Sequence, residues 1–438
     1  MQTQLSSEFE GTADGREAQA IMGKCVHCGF CNATCPTYQL LGDELDGPRG
    51  RIYLIKQVLE GAEVTRSTQQ HLDRCLTCLN CQTTCPSGVE YGHLVDIGRK
   101  IVDARVERPA AEKAVRWLLR EGLTSPLFAA AMRAGQALRP LLPAVLKNKV
   151  PPRAVPPRTA LPRPALQQSV LPRSVPGAEA IPTAQRRKML LLKGCVQPSM
   201  MPGIDRASAR VLDAAGIQVL YADGTGCCGA LRSHLSDPQG GLADMRRNID
   251  AWMPIVSMGE VEAILTSASA CGLAIKEYGH ALRHDPQYAA KAKTISGLAR
   301  DLSELLPELA PALKDRLRTG GFPRLAFHPP CTLQHGQRLH GGIEKHLRAL
   351  GFNIDVAGSE SHLCCGSAGT YSLLQPQLAK QLRDRKLEYL AQLDAQCIVS
   401  ANMGCIQHLQ SGTATPVKHW IEVLDEALED VGLDGRRV

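Results

Sequence analysis

Apolar and polar positions in the second half of the chain follow a fixed order that occurs twice. The run MLLL at 189–192 is unbroken and short, which predicts a buried strand ending just before Cys195. A helical run at 207–215 stops at Gly216, and IQVLY at 217–221 predicts a second strand. The order returns as LAF at 325–327, a helical run at 343–350 stopped by Gly351, and FNIDV at 352–356. A further helix then leads to a third strand in each copy, VEAILT before Cys271 and CIVS before Cys405. Strands that alternate with helices predict a parallel sheet, with ligands gathered at the strands' carboxyl ends.

The middle of the chain reads differently. Residues 113–148 are helical and basic in pattern, and residues 151–182 hold nine prolines: Pro151, Pro152, Pro156, Pro157, Pro162, Pro164, Pro172, Pro176 and Pro182. Such density excludes regular helix and favours an extended linker. Arg133, Arg139 and Lys147 interrupt the best apolar candidate for a membrane span, so any membrane contact is expected to be peripheral.

Cysteine spacing carries the chemistry. KCVHCGFCNATCPTY and RCLTCLNCQTTCPSG share the run C-x2-C-x2-C-x3-C-P, fifty positions apart. This is the bacterial ferredoxin run, in which three thiolates take one cluster and the fourth, beside proline, reaches the other. The expectation is two [4Fe-4S] clusters, one on Cys25, Cys28, Cys31 and Cys85 and the other on Cys75, Cys78, Cys81 and Cys35. Structural zinc fits less well, because zinc sites pair two short hooks. His27 within the first loop is expected to face solvent.

The longer repeat carries Cys195, Cys227, Cys228 and Cys271 in copy one and Cys331, Cys364, Cys365 and Cys405 in copy two, at nearly constant offsets. Adjacent side chains diverge unless the backbone bends sharply, and Gly229 and Gly366 follow the pairs directly. Each set is a candidate third or fourth metal site, for a further cluster or zinc, against the plainer reading of small buried side chains. Gly224, Gly226 and Gly229 also satisfy G-x-G-x-x-G, but copy two, ESHLCCGSAG, keeps the cysteines and loses the first two glycines, and no acidic residue ends the next strand. The glycines are therefore expected to act as bends around the pair. Cys397, which copy one lacks, is expected in the core. The PRGR segment at Pro48–Arg51 reads as positive charge set beside a cluster or, more simply, as a helix start, and His328, His335, His362 and His419 take no assigned role.

Composition narrows the partners. Aromatic residues are 4% of the chain, too few for a stacking platform, so nucleic acid is not expected. The net charge of +7 is concentrated, since residues 111–190 hold 14 basic against 3 acidic side chains. That segment suits an anionic lipid surface or an acidic partner face, or equally a solvated linker. The N-terminus has no basic start followed by an apolar run, so the expected location is cytoplasmic, peripherally associated with the inner face of the plasma membrane. Seventeen cysteines in such a chain point to metal-bound thiolates rather than disulfides.

Two ferredoxin runs followed by two C-C-G units resemble the iron-sulfur subunits of flavin-dependent 2-hydroxyacid and glycerol-phosphate dehydrogenases and those of heterodisulfide reductases. KCVHCGFCNATCPTYQLLGDELDGPRGRIYLIKQVLEG, HLDRCLTC, NIDAW, CTLQH and SHLCCGSAGTY resemble the glycolate oxidase iron-sulfur subunit family in particular. The resemblance implies two flavoprotein-type partner subunits, FAD on a partner, oxidation of glycolate to glyoxylate at that flavin, with D-lactate as a further substrate, and onward transfer to a membrane acceptor such as quinone. Lactate and glycerol-3-phosphate dehydrogenase subunits are the neighbouring alternatives, with an assembly scaffold or a thiol-disulfide reductase as other uses of the C-C-G units. Heterodisulfide reductases end each unit in C-x-x-C; here Ala268 and Ala274 flank Cys271 and Asn402 precedes Cys405, leaving four candidate thiolates per unit. The expected class is an α+β multidomain chain. A helical two-cluster ferredoxin-type domain (1–110) precedes a basic helical segment and linker (111–187) and two α/β parallel-sheet units (188–320 and 321–438).

Overall fold

A computed structural model describes residues 1–125, 127–141, 150 and 186–429. The predicted proline-rich linker at 151–182 lies outside them. The first domain is helical, built on Ala13–Gly23, Pro48–Leu59, Arg66–Asp73 and Tyr91–Arg105. Local chemistry starts three of these: Thr12 accepts from the Gly15 amide, Pro48 occupies the first turn, and Thr65 accepts from the Thr68 amide. Ile21, Met22, Ile52, Ile55, Leu94 and Val95 form their common core. Gly98 lets two of the helices touch, because a β-carbon there would lie 2.6 Å from Ile55.

Residues 113–148 are not one helix. Helices Ala110–Thr124 and Phe128–Ala137 are separated at Ser125, and neither has a buried residue. The first is held by charge: Arg116 pairs with Asp73 at 3.1 Å, and Glu121 pairs with Arg232 at 3.0 Å.

Each cysteine-rich unit is built on a four-stranded parallel sheet. The strands are β1 (Arg187–Leu191), β2 (Ile217–Leu220), β3 (Ile264–Thr266), β4 (Ala299–Asp301), β5 (Leu325–His328), β6 (Ile354–Val356), β7 (Cys397–Ser400) and β8 (Val417–His419). Their orders are β2-β1-β3-β4 and β6-β5-β7-β8. In register, Leu190 pairs with Leu220 and Ile264, and Phe327 with Val356 and Val399. The fourth strands, ARD and VKH, were not legible in the pattern because three mixed residues leave no periodicity. Cys397 opens β7 and is buried in the core.

The two units share one hydrophobic core, and each covers the other. Helix Pro202–Ala214 of the first unit packs on Trp420–Ala427 of the second, while Leu306–Leu313 of the first packs on Gly342–Ala349 of the second. Corresponding caps begin the exchanged segments: Asp301 with Glu304, and His419 with Glu422, each form a reciprocal capping box.

His419 also ties the units together, since its Nε2 donates to the Ser267 carbonyl at 2.8 Å while Nδ1 accepts from the Ile421 amide. Burial holds its pKa down to about 4, below the usual 6.5. A folded pKa below the unfolded one means stability is complete above pH 6.5 and is lost as pH falls towards 4. The expected outcome is that His419→Gln, which keeps a side-chain donor, flattens that acid limb in denaturation midpoints measured from pH 7.5 to 4.5.

Candidate metal centre

Each ferredoxin run folds into a loop that only an unusual backbone permits. His27 (φ 55°) and Gly29 (φ 84°) in the first, and Thr77 (φ 50°) and Leu79 (φ 61°) in the second, are left-handed at equivalent positions. Three of the four are not glycine, and such strain is kept where surrounding structure fixes it. The turns aim Cys25, Cys28 and Cys31, and likewise Cys75, Cys78 and Cys81, to one side. Cys35 and Cys85 stand directly before Pro36 and Pro86, each at the end of its run.

Thiol neighbours fall into crossed groups. Burial pushes the Cys31 thiol up to about 11, and the neighbouring thiols that add to the shift are Cys25, Cys28 and Cys85. Burial raises Cys81 strongly, with Cys78, Cys75 and Cys35 adding, and Cys31 of the first group adding less. A cavity lined by Cys25, Cys28, Cys31, Cys81, Cys85 and Tyr91 lies at the first group. Its sulfur lining and convergent thiols suit the donor set of an iron-sulfur cluster. Cys28 is exposed, whereas Cys75, Cys78 and Cys81 are buried. The Thr77 amide donates to Cys75 Sγ at 3.4 Å and the Tyr91 hydroxyl at 3.6 Å.

A buried charge network supports the second group. Asp46, fully buried, accepts from Arg74 at 2.8 Å, His71 at 3.1 Å and Arg51 at 3.4 Å. Arg51 donates to the His71 carbonyl at 2.7 Å and to Thr37 Oγ1 at 3.2 Å. Thr37 donates to the Asp46 carbonyl at 2.8 Å and lies 3.3 Å from Cys35 Sγ. Of the two readings of the PRGR segment, helix start and positive charge beside the thiols, Arg51 takes the second as well as the first: its guanidinium is enclosed beside Cys35 and Cys75. The signal available in the sequence was a lone basic residue at an apolar position of helix Pro48–Leu59.

In the first cysteine-rich unit, Cys195 follows β1, Cys227 and Cys228 follow β2, and Cys271 lies on helix Ser269–Lys276 after β3. The Cys195 and Cys228 thiols lie against Cys227 and, with the Gly229 and Leu231 amides, hold it well below the usual thiol range against burial. Cys271 neighbours Cys228. Gly229 provides the bend (φ 92°), and Gly224 is also left-handed (φ 83°). Gly226 is not a bend: a β-carbon there would lie 2.8 Å from Arg247, and its amide donates to Asn248. Asn248 also donates to the Cys227 carbonyl at 2.7 Å, and Tyr278 donates to that of Cys228 at 3.0 Å. Neither residue was singled out in the sequence, although Asn248 opens NIDAW.

In the second unit, Cys331 Sγ lies 3.8 Å from Cys364 Sγ, and Cys365 neighbours both Cys364 and Cys405. Gly366 is left-handed (φ 87°), and its amide donates to Cys364 at 3.4 Å. The helix after each pair begins with proline, and ten residues later stands Asn248 in Pro238–Ser257 but Lys386 in Pro376–Ala391. Lys386 is buried and donates to the carbonyls of Glu360 and Ser361. Burial lowers its pKa while the Cys365 and Cys364 thiols oppose the shift. One site thus has a neutral amide where the other has a cation.

The second unit covers the second ferredoxin group. Leu76, Cys78, Cys364, Tyr371 and Leu382 share a small core. Asn80 donates to the carbonyls of Thr34 and His362, His335 bridges Thr83 and the His362 carbonyl, and Tyr371 donates to the Arg74 carbonyl. His335 and His362 therefore act as interface scaffold.

Comparison with known proteins agrees with this arrangement. A family model described as a 4Fe-4S dicluster domain matches residues 21–89, and one described as a cysteine-rich domain matches 189–276 and 325–410. The chain is 53% identical over 431 residues to the "Glycolate oxidase iron-sulfur subunit" of Escherichia coli K12, covering 98% of this chain and all of that protein. It is 27% identical to the "Probable glycolate oxidase iron-sulfur subunit" of Bacillus subtilis 168, over 93% and 92% of the two chains. It is 25% identical to "Lactate utilization protein A" of Geobacillus thermodenitrificans, over 54% of this chain and 98% of that protein.

Removing Asp46 strands Arg51 in the interior, a loss of about 3–5 kcal/mol for a buried pair. Asp46→Ala is expected to lower the denaturation midpoint of the first domain and to hasten bleaching of its visible absorbance, measured anaerobically.

Proposed function

The chain belongs to the family of glycolate oxidase iron-sulfur subunits, and from that premise we propose the finer assignment of its sites. Cys25, Cys28, Cys31 and Cys85 hold one [4Fe-4S] cluster, and Cys75, Cys78, Cys81 and Cys35 hold a second. Cys195, Cys227, Cys228 and Cys271, and Cys331, Cys364, Cys365 and Cys405, form two further four-thiol sites for a cluster or zinc. The chain serves flavoprotein-type subunits, one carrying FAD, that oxidise glycolate to glyoxylate, and it conducts the electrons onward to quinone in the membrane. The observation that carries this reading is the crossed grouping of thiols in a sequence of sites. It runs from the exposed Cys28 through the buried second group to Cys331 and Cys364, the thiols that border Cys78.

Bound clusters supply one-electron transfer, so several of them divide the electron pair a reduced flavin gives up. The residues of this chain set the conditions. Ile52, Val89 and Tyr91 wall the first site, and Leu76 and Leu382 keep water from the second. Arg51 and Lys386 place positive charge beside buried thiolates, and the amides of Thr77 and Gly366 donate to sulfur, which stabilises the more negative, reduced state.

Among the described residues no helix is long and apolar enough to cross a membrane. Peripheral contact at the cytoplasmic face is assigned to helix Ala110–Thr124, which exposes Val115, Trp117 and Leu118 within the basic segment.

Glycolate added anaerobically to the purified complex is expected to produce reduced-cluster EPR signals; a colourless complex, or one silent to glycolate, would sink the assignment. Cys85→Ser should alter the same signal as Cys25→Ser, and Cys35→Ser the same signal as Cys75→Ser. Pairing within each run instead would refute the crossing. In flotation with anionic vesicles, Trp117→Ser combined with Leu118→Ser should reduce the bound fraction severalfold; unchanged binding would remove that helix from the membrane contact.

A further inference from the structure

An open cavity lies apart from the sulfur sites, between the first domain and the first cysteine-rich unit. Glu17, His93, His280 and His284 are on its wall. Glu17 comes from helix Ala13–Gly23, His93 from the first turn of Tyr91–Arg105, and His280 from the short helix Tyr278–Ala281. Glu17 Oε1 stands 2.7 Å from His280 Nε2 and 4.0 Å from His93 Nδ1. One ligand atom from each of the three residues lies within 4.8 Å of the others. The two imidazoles are stacked, with 3.7 Å between centroids and 7° between planes, so both rings present a nitrogen to one carboxylate.

The surroundings assign the protons. His93 Nε2 lies 3.0 Å from Glu277 Oε2 and donates to it, and Nδ1 is the nitrogen turned to Glu17. A carboxylate on the far nitrogen of a histidine is how metal-ligating imidazoles are oriented. Arg283 holds the other oxygen of Glu17 and donates to the His280 carbonyl at 2.6 Å. Arg283 also lies 3.4 Å from His280 Nδ1, which leaves Nε2 as the nitrogen turned to Glu17.

We propose that Glu17, His93 and His280 bind a divalent transition-metal ion that fastens the first domain to the first cysteine-rich unit. Two imidazoles and a carboxylate are a donor set for zinc and for ferrous iron, and the open cavity leaves positions for water. Binding displaces the proton shared by His280 and Glu17, and each ring tilts out of the stack so that the lone pairs converge. Arg283 remains on the second carboxylate oxygen, and its charge keeps the affinity below that of a closed structural zinc site. The proposal is independent of the identity of the flavoprotein partners.

The test uses the anaerobically purified complex, its four-thiol sites saturated beforehand and loosely bound metal removed, and then given one further equivalent of Zn2+ per chain. X-ray absorption of the added zinc should show nitrogen and oxygen neighbours at about 2.0–2.1 Å and no sulfur at about 2.3 Å. His93→Ala and His280→Ala should each lower zinc affinity at least tenfold, and Glu277→Gln by about tenfold. A sulfur shell, no uptake, or unchanged affinity in both histidine variants would overturn it. The wild-type shell decides the question even if a variant misfolds.

Discussion

Sixteen thiols gather in four groups, most of them buried, and the rest of the structure is arranged around that constraint. A buried anion must be met by a cation or by donated protons. Arg51 answers for the second ferredoxin group, held in turn by Asp46, Thr37 and the His71 carbonyl. Backbone amides answer at Cys75, Cys227 and Cys364. Lys386 answers in the second cysteine-rich unit, and at the corresponding helix position the first has the neutral Asn248. The duplicated units are therefore alike in ligand geometry and unlike in charge, so a group of equal composition bound in each would differ in reduction potential.

The duplication also explains how the chain closes its core. Each unit has a parallel sheet too small to bury itself, and each borrows a helix from the other's side. Ser267 and Ser269 lie at the seam. The Ser267 carbonyl accepts from His419, the Ser269 amide donates to the Ala401 carbonyl, and its hydroxyl lies 2.7 Å from that of Thr332. Cys271 and Cys331 sit within two residues of these contacts, so the third and fourth groups are fixed relative to one another by the same interface.

Much of this was legible in the chain. Three strands of each unit, the helix stops at Gly216 and Gly351, and the parallel sheets follow from apolar runs and punctuation. What the pattern hid has physical causes. The fourth strands are three residues long, and Lys386 looks like a solvated charge until its tertiary partners are known. Leu79 in a left-handed turn cannot be anticipated where the equivalent residue is Gly29. Glu17, His93 and His280 are separated by most of the first 280 residues, and no spacing announces them.

The borrowed helices bear on the order in which the protein can be completed. Trp420–Ala427 is among the last described segments, yet it covers Ile204, Val211 and Leu212 of a unit whose strands began at Arg187. During synthesis helix Pro202–Ala214 must therefore wait, with its apolar face uncovered, for more than 200 further residues to emerge. A chain cut short before Trp420 would leave that face open to other chains, so the C-terminal helix acts as the closing step of assembly for the half of the molecule that was made first.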